Sequence, residues 1–546
     1  MTKYLFRATI GPVQSLIMQA RKLQDLYAGS YLLSHLCKNL ISTAQMLGAE
    51  ILYPKFNEER TSYPNLFVAI VDSENIDDLN KFANELEASL KERWRNIAEN
   101  VLKHWKQEPT IDFMTQIETL LQFYWSAAEY NDGDDYRDKF LETLQRMGSA
   151  KATRAFSPLS EVAGRKCALT MEHNALFYRQ CMNNRRIAES AYAAKCLSSE
   201  KCDSMKRKCE GLQLPEIPLK YLGRNEAIGA VAFVKRCLKF GIDEPDAKLY
   251  SFNDDFPDIA SVAQMTQKAK EDSYYALVVF DGDNMGALYS SKPEEINNKN
   301  LQKFQQELSE LVSESSMQMS QMVSEKLGNG VVVYAGGDDF LGAMCVEHVF
   351  MTLSDIRKSF RETIDVSEYT GKTSTFSAGI VIAHIMMPLG ETLRHAREAE
   401  KYAKAHNNGE KDAYCLTILR RSGEITRSAH SFNLGADDDS MLHLHNLVDV
   451  IVENRVSTNF VYQLQTQFGR IFETPATVQC EMLKLEVSRI LNRAELPNEI
   501  ENKDAVICEI IKSVNTLIEV SNDELSNILE LLSAVAFIAR TRGGAR

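Results

Sequence analysis

Two runs of apolar residues, each ending in a glycine-rich acidic turn, constrain the fold of this 546-residue chain more than any other feature. The first run, residues 275–280 (YALVVF), leads into residues 281–286 (DGDNMG). The second run, residues 331–335 (VVVYA), leads into residues 336–339 (GGDD). Continuous apolar runs of this length are typical of strands buried on both faces of a sheet. If the two strands pair, their acidic turns meet at one edge of that sheet.

The elements around these turns predict a palm domain. A helix rich in Gln, Ser and Met is expected at about residues 300–327, and further strands at residues 340–345 and 375–383. A second helix follows Pro388, and a last strand is expected at residues 413–419. We interpret this succession as the β-α-β-β-α-β order of a ferredoxin-like palm.

Carboxylates at adjacent strand ends suit phosphoryl transfer from a nucleoside triphosphate. That reaction needs a divalent metal on oxygen ligands, because the metal neutralises the phosphates and polarises the attacking hydroxyl. Asp281, with Asp338 and Asp339 in the neighbouring hairpin, would supply oxygens that favour Mg²⁺ or Mn²⁺ over zinc. Each turn alone also fits an ordinary connection between strands. Together, each after an apolar strand, they indicate a catalytic site that contains Asp338 and Asp339.

The glycines of both turns allow backbone N–H groups to approach phosphates and permit the positive φ of a tight hairpin. Two lysines one turn apart on the later helix are candidates for contact with the triphosphate, although a solvated helix face explains Lys401 equally well. No phosphate-binding P-loop, nucleophile elbow or HExxH motif competes with this interpretation. The predicted nucleotide-binding residues of the palm are Gly282, Asp283, Asn284, Met285, Gly286, Gly336, Gly337, Lys401 and Lys404.

The rest of the chain divides into three further regions. Strand-like runs at residues 4–10, 51–53 and 66–71 predict a small α/β domain with helical insertions, and its strand order suggests a distant relative of the palm. Beyond Ser428 the spacing is nearly all helical. The fold class is therefore α+β multidomain. We predict a first palm-like domain with a helical insertion (1–150), a helical linker with a candidate zinc site (151–250), the catalytic palm (251–427) and a helical C-terminal domain (428–546).

Five of the eleven cysteines cluster between Cys167 and Cys209. Thiolates at short spacings can chelate zinc and stabilise a segment that is too small for its own core. No C-x-x-C pair occurs, so ordinary buried or surface cysteines explain the cluster as well. The candidate zinc ligands are Cys167, Cys196, Cys202 and Cys209.

Composition narrows the class of protein. The 44% apolar and 25% charged residues exclude disordered and fibrous classes. The net charge of −13 argues against binding nucleic acid through overall charge. An odd number of scattered cysteines favours a reducing compartment, and no window reaches the about 18 apolar residues of a membrane helix. We expect a cytoplasmic protein with no membrane contact.

Several ordered motifs resemble one known family. They are residues 10–36 (IGPVQSLIMQARKLQDLYAGSYLLSHL), the palm segments VVFDGDNMG, YAGGDDFL and SAGIVIAH, and the alanine-rich helix that ends in Tyr402-Ala403-Lys404. The chain is similar to the large subunit of type III CRISPR RNA-guided effector complexes, in particular its Cmr (III-B) branch. This resemblance implies two ferredoxin-like palms, the second of them a nucleotidyl-cyclase-like GGDD palm, with a zinc-bearing helical region between them and an all-α C-terminal domain.

The resemblance implies that Asp338 and Asp339 are the metal-binding pair and that Asp281 and Asp283 assist them. The resemblance also implies an activity. In the family, the GGDD palm converts ATP into cyclic oligoadenylate when the guide RNA pairs with a target RNA, so other complex subunits and both RNAs are expected partners. Some relatives instead join AMP to S-adenosylmethionine, and for that acceptor Gly29 and Ser30 lie on a plausible wall of the first palm. The sequence also leaves room for a non-catalytic scaffold subunit of the complex or for a free-standing cyclase.

The sequence departs from the family pattern in two respects. Many members begin with an HD nuclease domain, but no His-Asp dipeptide occurs here, so we predict no DNase activity from this chain. The usual C-x-x-C pairs are also missing, which weakens the expectation of zinc.

Overall fold

The computed structural model of this chain forms two compact units. The first contains residues 1–256 and 287–310, and the second contains residues 257–286 and 311–546. The structure describes residues 2–54, 62–131, 133–153, 161, 164–178, 192–194, 213–214, 217–223, 226–242, 273–297, 300–323, 330–433, 439–454, 456–468, 476–494, 496, 500, 502–520 and 525–543.

A four-stranded antiparallel sheet organises the first unit. Its strands are β1 (Thr2–Gly11), β2 (Glu50–Tyr53), β3 (Leu66–Ser73) and β4 (Gln122–Glu129), in the order β2-β3-β1-β4. The central strand β1 pairs antiparallel with β3 and β4, as in a ferredoxin-like fold. The prediction of a palm-like first sheet is confirmed.

The helices of this sheet alternate with its strands. Helix α3 begins after Asn75, whose side-chain oxygen accepts hydrogen bonds from the N–H groups of Asp77 and Asp78. Trp94 on its buried face donates a hydrogen bond from Nε1 to the carbonyl of Ile117 at 2.8 Å. The helices are α1 (Gln14–Met18), α2 (Leu23–Met46), α3 (Ile76–His104), α4 (Ile111–Glu118) and α5 (Tyr136–Ala152).

The sequence missed β4 in a stretch that it predicted to be mostly helical. The strand contains Phe123, Tyr124 and Trp125, which suit a pleated surface, and its partner is β1, more than 100 residues earlier. Its register pairs Gly11 with Gln122. A pairing between such distant segments leaves little signal in the local hydrophobic pattern. Because the sequence on both sides of β4 has helical spacing, the whole stretch was predicted to be helical.

The region between the palms differs from the predicted helical linker. Its described residues contain short strands that form a second sheet in the order β7-β6-β5-β8. Strands of two or three residues are too short to display an alternating pattern, which is why the sequence does not reveal them. The elements are β5 (Phe177–Tyr178), β6 (Tyr192–Ala194), β7 (Gln213–Leu214), β8 (Ala227–Ile228), α6 (Ala230–Arg236) and a 3₁₀ turn at Leu238–Phe240.

The second unit contains the palm predicted from the acidic turns. Its six-stranded sheet has the order β10-β11-β9-β12-β13-β14, in which only β12 and β13 are parallel. Residues 287–310, within the same stretch of sequence, belong to the first unit. Along this stretch the elements are β9 (Tyr274–Gly282), α7 (Met285–Leu288), a 3₁₀ turn at Pro293–Ile296, α8 (Leu301–Gln321), β10 (Gly330–Gly336), β11 (Asp339–Cys345), α9 (Val349–Thr363), α10 (Ser367–Thr370), β12 (Phe376–His384), α11 (Leu389–Ala405), a 3₁₀ turn at Asn407–Gly409, β13 (Ala413–Leu419) and β14 (Ile425–Ser431).

The ferredoxin-like core of this palm differs from the predicted one in its last elements. From the sequence, the helix after Pro388 and the strand at residues 413–419 were predicted to be the last two elements of the core. In the structure α9, which the sequence prediction omits, and β12 complete it, and α11 with β13 forms an added parallel crossover. Strand β14 is also new, and the predicted domain boundary after residue 427 falls inside it.

Among the described residues after β14 there are five helices, as the spacing beyond Ser428 predicts. Helix α16 lies beside β14, and Asn527 bonds the backbone of Ala429 from both sides, with Nδ2 to the carbonyl at 2.6 Å and Oδ1 from the N–H at 3.0 Å. This contact occupies an exposed edge of the sheet. The helices are α12 (Ser440–Glu453), α13 (Asn459–Phe468), α14 (Ala476–Leu491), α15 (Lys503–Val520) and α16 (Leu525–Gly543).

No helix in the described part of the chain combines the length and the apolar character needed to cross a membrane.

Candidate active site

The strand register of the second unit brings the two acidic turns together. Asp281 at the end of β9 stands opposite Asp339 at the start of β11, and Ser377 of β12 stands on its other side. One residue earlier, the Phe280 ring stacks on Phe340 at 4.8 Å and on Phe376 at 4.1 Å between centroids. These buried rings fix the register, because a slip by one residue would turn them to the other face. We call Asp281, Asp338 and Asp339 the acidic corner.

The β10–β11 hairpin presents Asp338 and Asp339 at its tip. Gly337 has φ +84°, a left-handed conformation that glycine adopts without strain. Its N–H donates to Oγ of Ser316 on α8 at 2.9 Å, and the Tyr334 hydroxyl donates to the Gly336 carbonyl at 2.9 Å. Side chains from two elements therefore hold the GGDD backbone in one conformation.

The other acidic turn is joined to this hairpin. The Gly282 N–H donates to the Asp338 carbonyl at 2.9 Å. A Cβ at Gly282 would lie 2.8 Å from Cβ of Asp338 and 2.8 Å from Cγ of Met285, so only glycine fits this close approach. The glycine predicted to approach phosphates thus also lets the two turns touch.

The carboxylate of Asp283 is held by hydrogen bonds to other residues of the palm. Its carboxylate accepts hydrogen bonds from Oγ1 of Thr375 at 2.8 Å, Oγ of Ser377 at 2.8 Å and the N–H of Asp412 at 3.0 Å. The side chain is 5% exposed, and burial raises its pKa against the opposing effect of these hydrogen bonds. These contacts give Asp283 a part in fixing the turn, and nucleotide binding by this residue stays a prediction.

Helix α11 places two cations and one carboxylate beside the acidic corner. The Lys404 ammonium bonds Asp281 and also Oε1 of Glu400, the latter at 2.9 Å. Nη1 of Arg397 lies 3.3 Å from Oδ1 of Asp339 and 3.0 Å from Oε2 of Glu400. Glu400 therefore joins both cations, and each cation also contacts one aspartate of the corner.

A glycine in β12 allows α11 to pack this closely. A Cβ at Gly379 would lie 2.3 Å from the Ala396 carbonyl oxygen and 2.5 Å from the Glu400 nitrogen. The alanines Ala396, Ala399 and Ala403 on the same helix are fully buried. Small residues on both sides bring the helix backbone against the sheet, which places the side chains of Arg397 and Lys404 at the carboxylates.

Burial and, after it, the crowding of like charges raise the pKa values of the corner. Burial, together with the charge of Asp281, raises the pKa of Asp338 to about 7. Burial raises the pKa of Asp339 to about 6, although the Arg397 guanidinium opposes the shift. Burial also raises the pKa of the Tyr334 hydroxyl, and the charges of Asp339 and Asp338 add to this. A cation at the corner would relieve this repulsion.

The donor chemistry of the corner fits Mg²⁺ or Mn²⁺, which prefer carboxylate oxygens. In the described part of the chain, however, no three His, Cys, Asp or Glu side chains already converge in a geometry that holds a metal ion. The reason is visible in the contacts, since Asp281 is bonded to Lys404 and Asp339 to Arg397. A metal would have to displace these cations from the carboxylates.

The remaining palm residues predicted to bind nucleotide lie around the same turns. Asn284 has φ +59°, and its Oδ1 accepts from Nζ of Lys411 at 2.7 Å. Met285 is buried, whereas Gly286 is exposed. Lys401 is exposed and lies off the helix face formed by Arg397, Glu400 and Lys404.

Other predicted site residues lie elsewhere in the first unit or outside the described residues. Gly29 and Ser30 are buried in α2, where a Cβ at Gly29 would lie 3.1 Å from the Leu16 carbonyl oxygen of α1. That environment suits close helix packing, and nucleotide binding there stays a prediction. Cys167 is buried, and its sulfur accepts from the Leu169 N–H at 3.4 Å. The other three candidate zinc ligands, Cys196, Cys202 and Cys209, lie outside the described residues.

Sequence reasoning missed Arg397 and Glu400. The available signal was spacing, because residues 397, 400 and 404 repeat at intervals of three and four and share one helix face with the predicted Lys404. Because the sequence analysis considered only the two lysines of this helix, it named Lys401. Lys401 is next to Glu400 in sequence but lies about 100° away around the helix.

Comparison with known proteins agrees with this architecture. Residues 274–415 match the family described as Cas10/Cmr2, second palm domain, and residues 5–99 match CRISPR-associated protein Cmr2, N-terminal. The CRISPR system Cmr subunit Cmr2 of Pyrococcus furiosus is 28% identical over 256 residues, which cover 43% of this chain. The chain spans 28% of the length of that curated relative.

Two solved structures share the fold. The apo state of a type III-B Cmr-beta, solved by cryo-EM, superposes with a TM-score of 0.65 at 13% identity and covers 98% of this chain and 82% of that chain. The Cmr-beta bound to cognate target RNA gives a TM-score of 0.63 at 13% identity over 100% of this chain and 83% of that one.

The two ferredoxin-like sheets and the acidic corner define a palm-containing protein. Separate segments of the chain, in the first sheet and in the palm, are thus similar to the Cmr2 N-terminal region and to the second palm domain of Cas10/Cmr2. The resemblance seen in the sequence motifs is confirmed.

Proposed function

We propose that the palm of the second unit transfers AMP from ATP to a nucleotide hydroxyl and builds cyclic oligoadenylate. In this proposal the chain acts within a type III-B CRISPR complex and is activated when guide RNA pairs with target RNA. The observation that supports it most is the register of β9 and β11, which places Asp281 beside Asp339 with Lys404 and Arg397 in contact. An acidic corner of this kind at a strand edge needs a cation to offset its charge.

The residues of the corner suit this chemistry. Asp281, Asp338 and Asp339 would hold Mg²⁺ or Mn²⁺, which when bound neutralises the phosphates and polarises the attacking hydroxyl. Attack on the α-phosphorus forms one P–O bond, breaks the bond to pyrophosphate and releases the proton of the hydroxyl. Arg397 and Lys404 lie where a fork of N–H donors and a point charge can stabilise the oxygens of the leaving pyrophosphate.

Regulation by RNA is supported by the family and by the charge of the chain. The Cmr-beta structure with this fold was solved with cognate target RNA. With a net charge of −13, this chain is a poor scaffold for RNA by itself, so we assign the guide chiefly to other subunits of the complex.

The test identifies the product. The assembled complex is incubated with α-labelled ATP and Mg²⁺, with and without complementary RNA and S-adenosylmethionine, and the products are identified by mass. We expect oligoadenylate that depends on target RNA and disappears in the Asp338→Ala/Asp339→Ala variant. A product that requires S-adenosylmethionine would identify that molecule as the acceptor. An intact, target-bound complex that forms no product would support a non-catalytic scaffold.

A further inference from the structure

We propose that Glu400 is a positioning residue that holds Arg397 and Lys404 beside the acidic corner while they exchange its carboxylates for the phosphates of ATP. This inference rests on the proposed function and adds a mechanism for how the two cations reach the substrate. Without metal, Arg397 contacts Asp339 and Lys404 contacts Asp281. With metal on those carboxylates, both cations keep Glu400 as their anchor.

The geometry gives each oxygen of Glu400 its own cation. Oε2 lies 3.0 Å from Nη1 of Arg397, and Oε1 lies 2.9 Å from Nζ of Lys404. The three residues are spaced by three and four positions, so α11 presents them on one face. Because the anchor contacts do not use the atoms of Asp281 or Asp339, they remain available after a metal has bound.

A second network on the same helix shows what an ordinary surface pairing looks like. Arg394 bonds Glu391 and Glu398, and the side chains of Arg394 and Glu391 are 48% and 56% exposed. Such pairs contribute little, because water screens them. The Glu400 side chain is 10% exposed and those of Arg397 and Lys404 are each 27% exposed. Removal of the Glu400 carboxylate would leave two partly buried cations without this partner, which is unfavourable. The ion pairs of Glu400 are therefore stronger than those of the exposed network.

The charge balance explains why an anchor is needed. When a divalent ion takes Asp281 and Asp339, the two side chains that those carboxylates had bonded are repelled by the ion. Without Glu400 they would move into solvent and lose their orientation, since both side chains have several rotatable bonds. Glu400 offsets that repulsion, so metal binding costs less and the guanidinium and ammonium groups stay directed at the site where phosphates bind.

The test measures binding rather than turnover. Mn²⁺ affinity of the full chain is determined by electron paramagnetic resonance, and affinity for a non-hydrolysable ATP analogue is determined in the presence of Mn²⁺. For Glu400→Gln we expect Mn²⁺ affinity to fall about tenfold and analogue affinity to fall by a similar factor. For Arg397→Gln we expect Mn²⁺ affinity to rise several-fold, since the ion displaces one cation fewer, while analogue affinity falls.

A double-mutant cycle separates the anchor from a simple charge effect. If Glu400 acted only through its own negative charge, its substitution would lower Mn²⁺ affinity equally in wild-type and Arg397→Gln backgrounds. The anchor predicts that the effect shrinks by about threefold in the Arg397→Gln background. Equal effects in both backgrounds would overturn the inference.

Two controls complete the experiment. Glu398→Gln on the exposed network is expected to leave both affinities within about twofold. The thermal midpoint of metal-free Glu400→Gln reports packing, and a lowered midpoint with unchanged Mn²⁺ and analogue affinities would show a structural role only and overturn the inference. If wild-type protein binds Mn²⁺ and analogue as expected but makes no oligoadenylate, the proposed product is wrong while the anchor stands. If Asp338→Ala/Asp339→Ala binds Mn²⁺ with the same affinity as the wild-type protein, both the proposed function and the anchor role of Glu400 are wrong.

Discussion

The first sheet and the four-stranded core of the palm sheet have the same strand order but different residues at the same end. In the palm, the central strand β9 ends in Asp281-Gly282 and its neighbour β11 begins with Asp339. In the first sheet, the central strand β1 ends in Ile10-Gly11, and β3 follows Asn65, whose carbonyl accepts from the Ile10 N–H at 3.0 Å. One fold therefore carries a charged corner in one unit and an uncharged one in the other.

The residues that specify the fold differ from the residues that would perform the chemistry. Both sheets are specified by buried apolar strands and by helices that pack on them. The carboxylates add nothing to that packing, and their mutual repulsion opposes it. Carboxylates that oppose folding in this way support the proposed active site at the palm corner, whereas Ile10, Gly11 and Asn65 at the same end of the first sheet are uncharged.

The largest expected effect separates the two corners by activity. Asp338→Ala/Asp339→Ala should lower AMP transfer by about a thousandfold or more, because the metal ligands are removed. Gln122→Ala, at the exposed corner of the first sheet, should stay within about twofold. Oligoadenylate formation by the target-bound complex measures both. Equal losses in the two variants would remove the distinction between the corners.

A substitution in β12 tests the packing that carries the cations to the palm corner. Gly379→Ala places a methyl group 2.3 Å from the Ala396 carbonyl oxygen, so α11 must move away from the sheet. We expect a loss of about 3 kcal/mol in unfolding free energy and weaker nucleotide binding. Denaturant unfolding measures the first quantity. Gly390→Ala is the control, because a Cβ there meets no heavy atom within 4 Å.

Equivalent glycines at the ends of the two central strands should respond differently to the same change. Gly282→Ala brings a methyl group to 2.8 Å from Asp338, and we expect about 2 kcal/mol of destabilisation with at least tenfold lower activity. Gly11→Ala meets its nearest atom at 3.9 Å, so a change below about 0.5 kcal/mol is expected. Thermal unfolding and product assays of both variants check this. A Gly11→Ala variant as damaged as Gly282→Ala would contradict the contrast.

The smallest expected effect concerns pH. The pKa of Asp338 is about 7 in the folded protein, above its ordinary value of 3.8. Between these values the folded protein binds more protons than the unfolded chain, so this group makes metal-free stability fall as pH rises from about 4 to about 7. After solvent screening we expect about 1 kcal/mol. Asp338→Asn should flatten the dependence, and a saturating concentration of Mg²⁺ should reduce it. An unchanged pH profile in Asp338→Asn would show that this carboxyl is not the source.

Sequence predicted the palm corner well because its signals are local. Each acidic turn directly follows an apolar strand, so pairing of the strands was enough to place Asp281 beside Asp339. Contacts between segments that are distant in sequence could not be predicted from such local patterns. The pairing of β4 with β1, and the approach of α11 to Gly379 that brings Arg397 to Asp339, join segments whose own patterns do not identify their partners.

AMP transfer at the acidic corner is tested most directly by the stoichiometry of pyrophosphate release by the target-bound complex in Mg²⁺ and ATP. We expect one pyrophosphate for each AMP incorporated into oligoadenylate, with both signals abolished in Asp338→Ala/Asp339→Ala and retained in Gln122→Ala. Incorporation that persists in the double variant, or AMP transfer without pyrophosphate release, would contradict the assignment of this chemistry to the acidic corner.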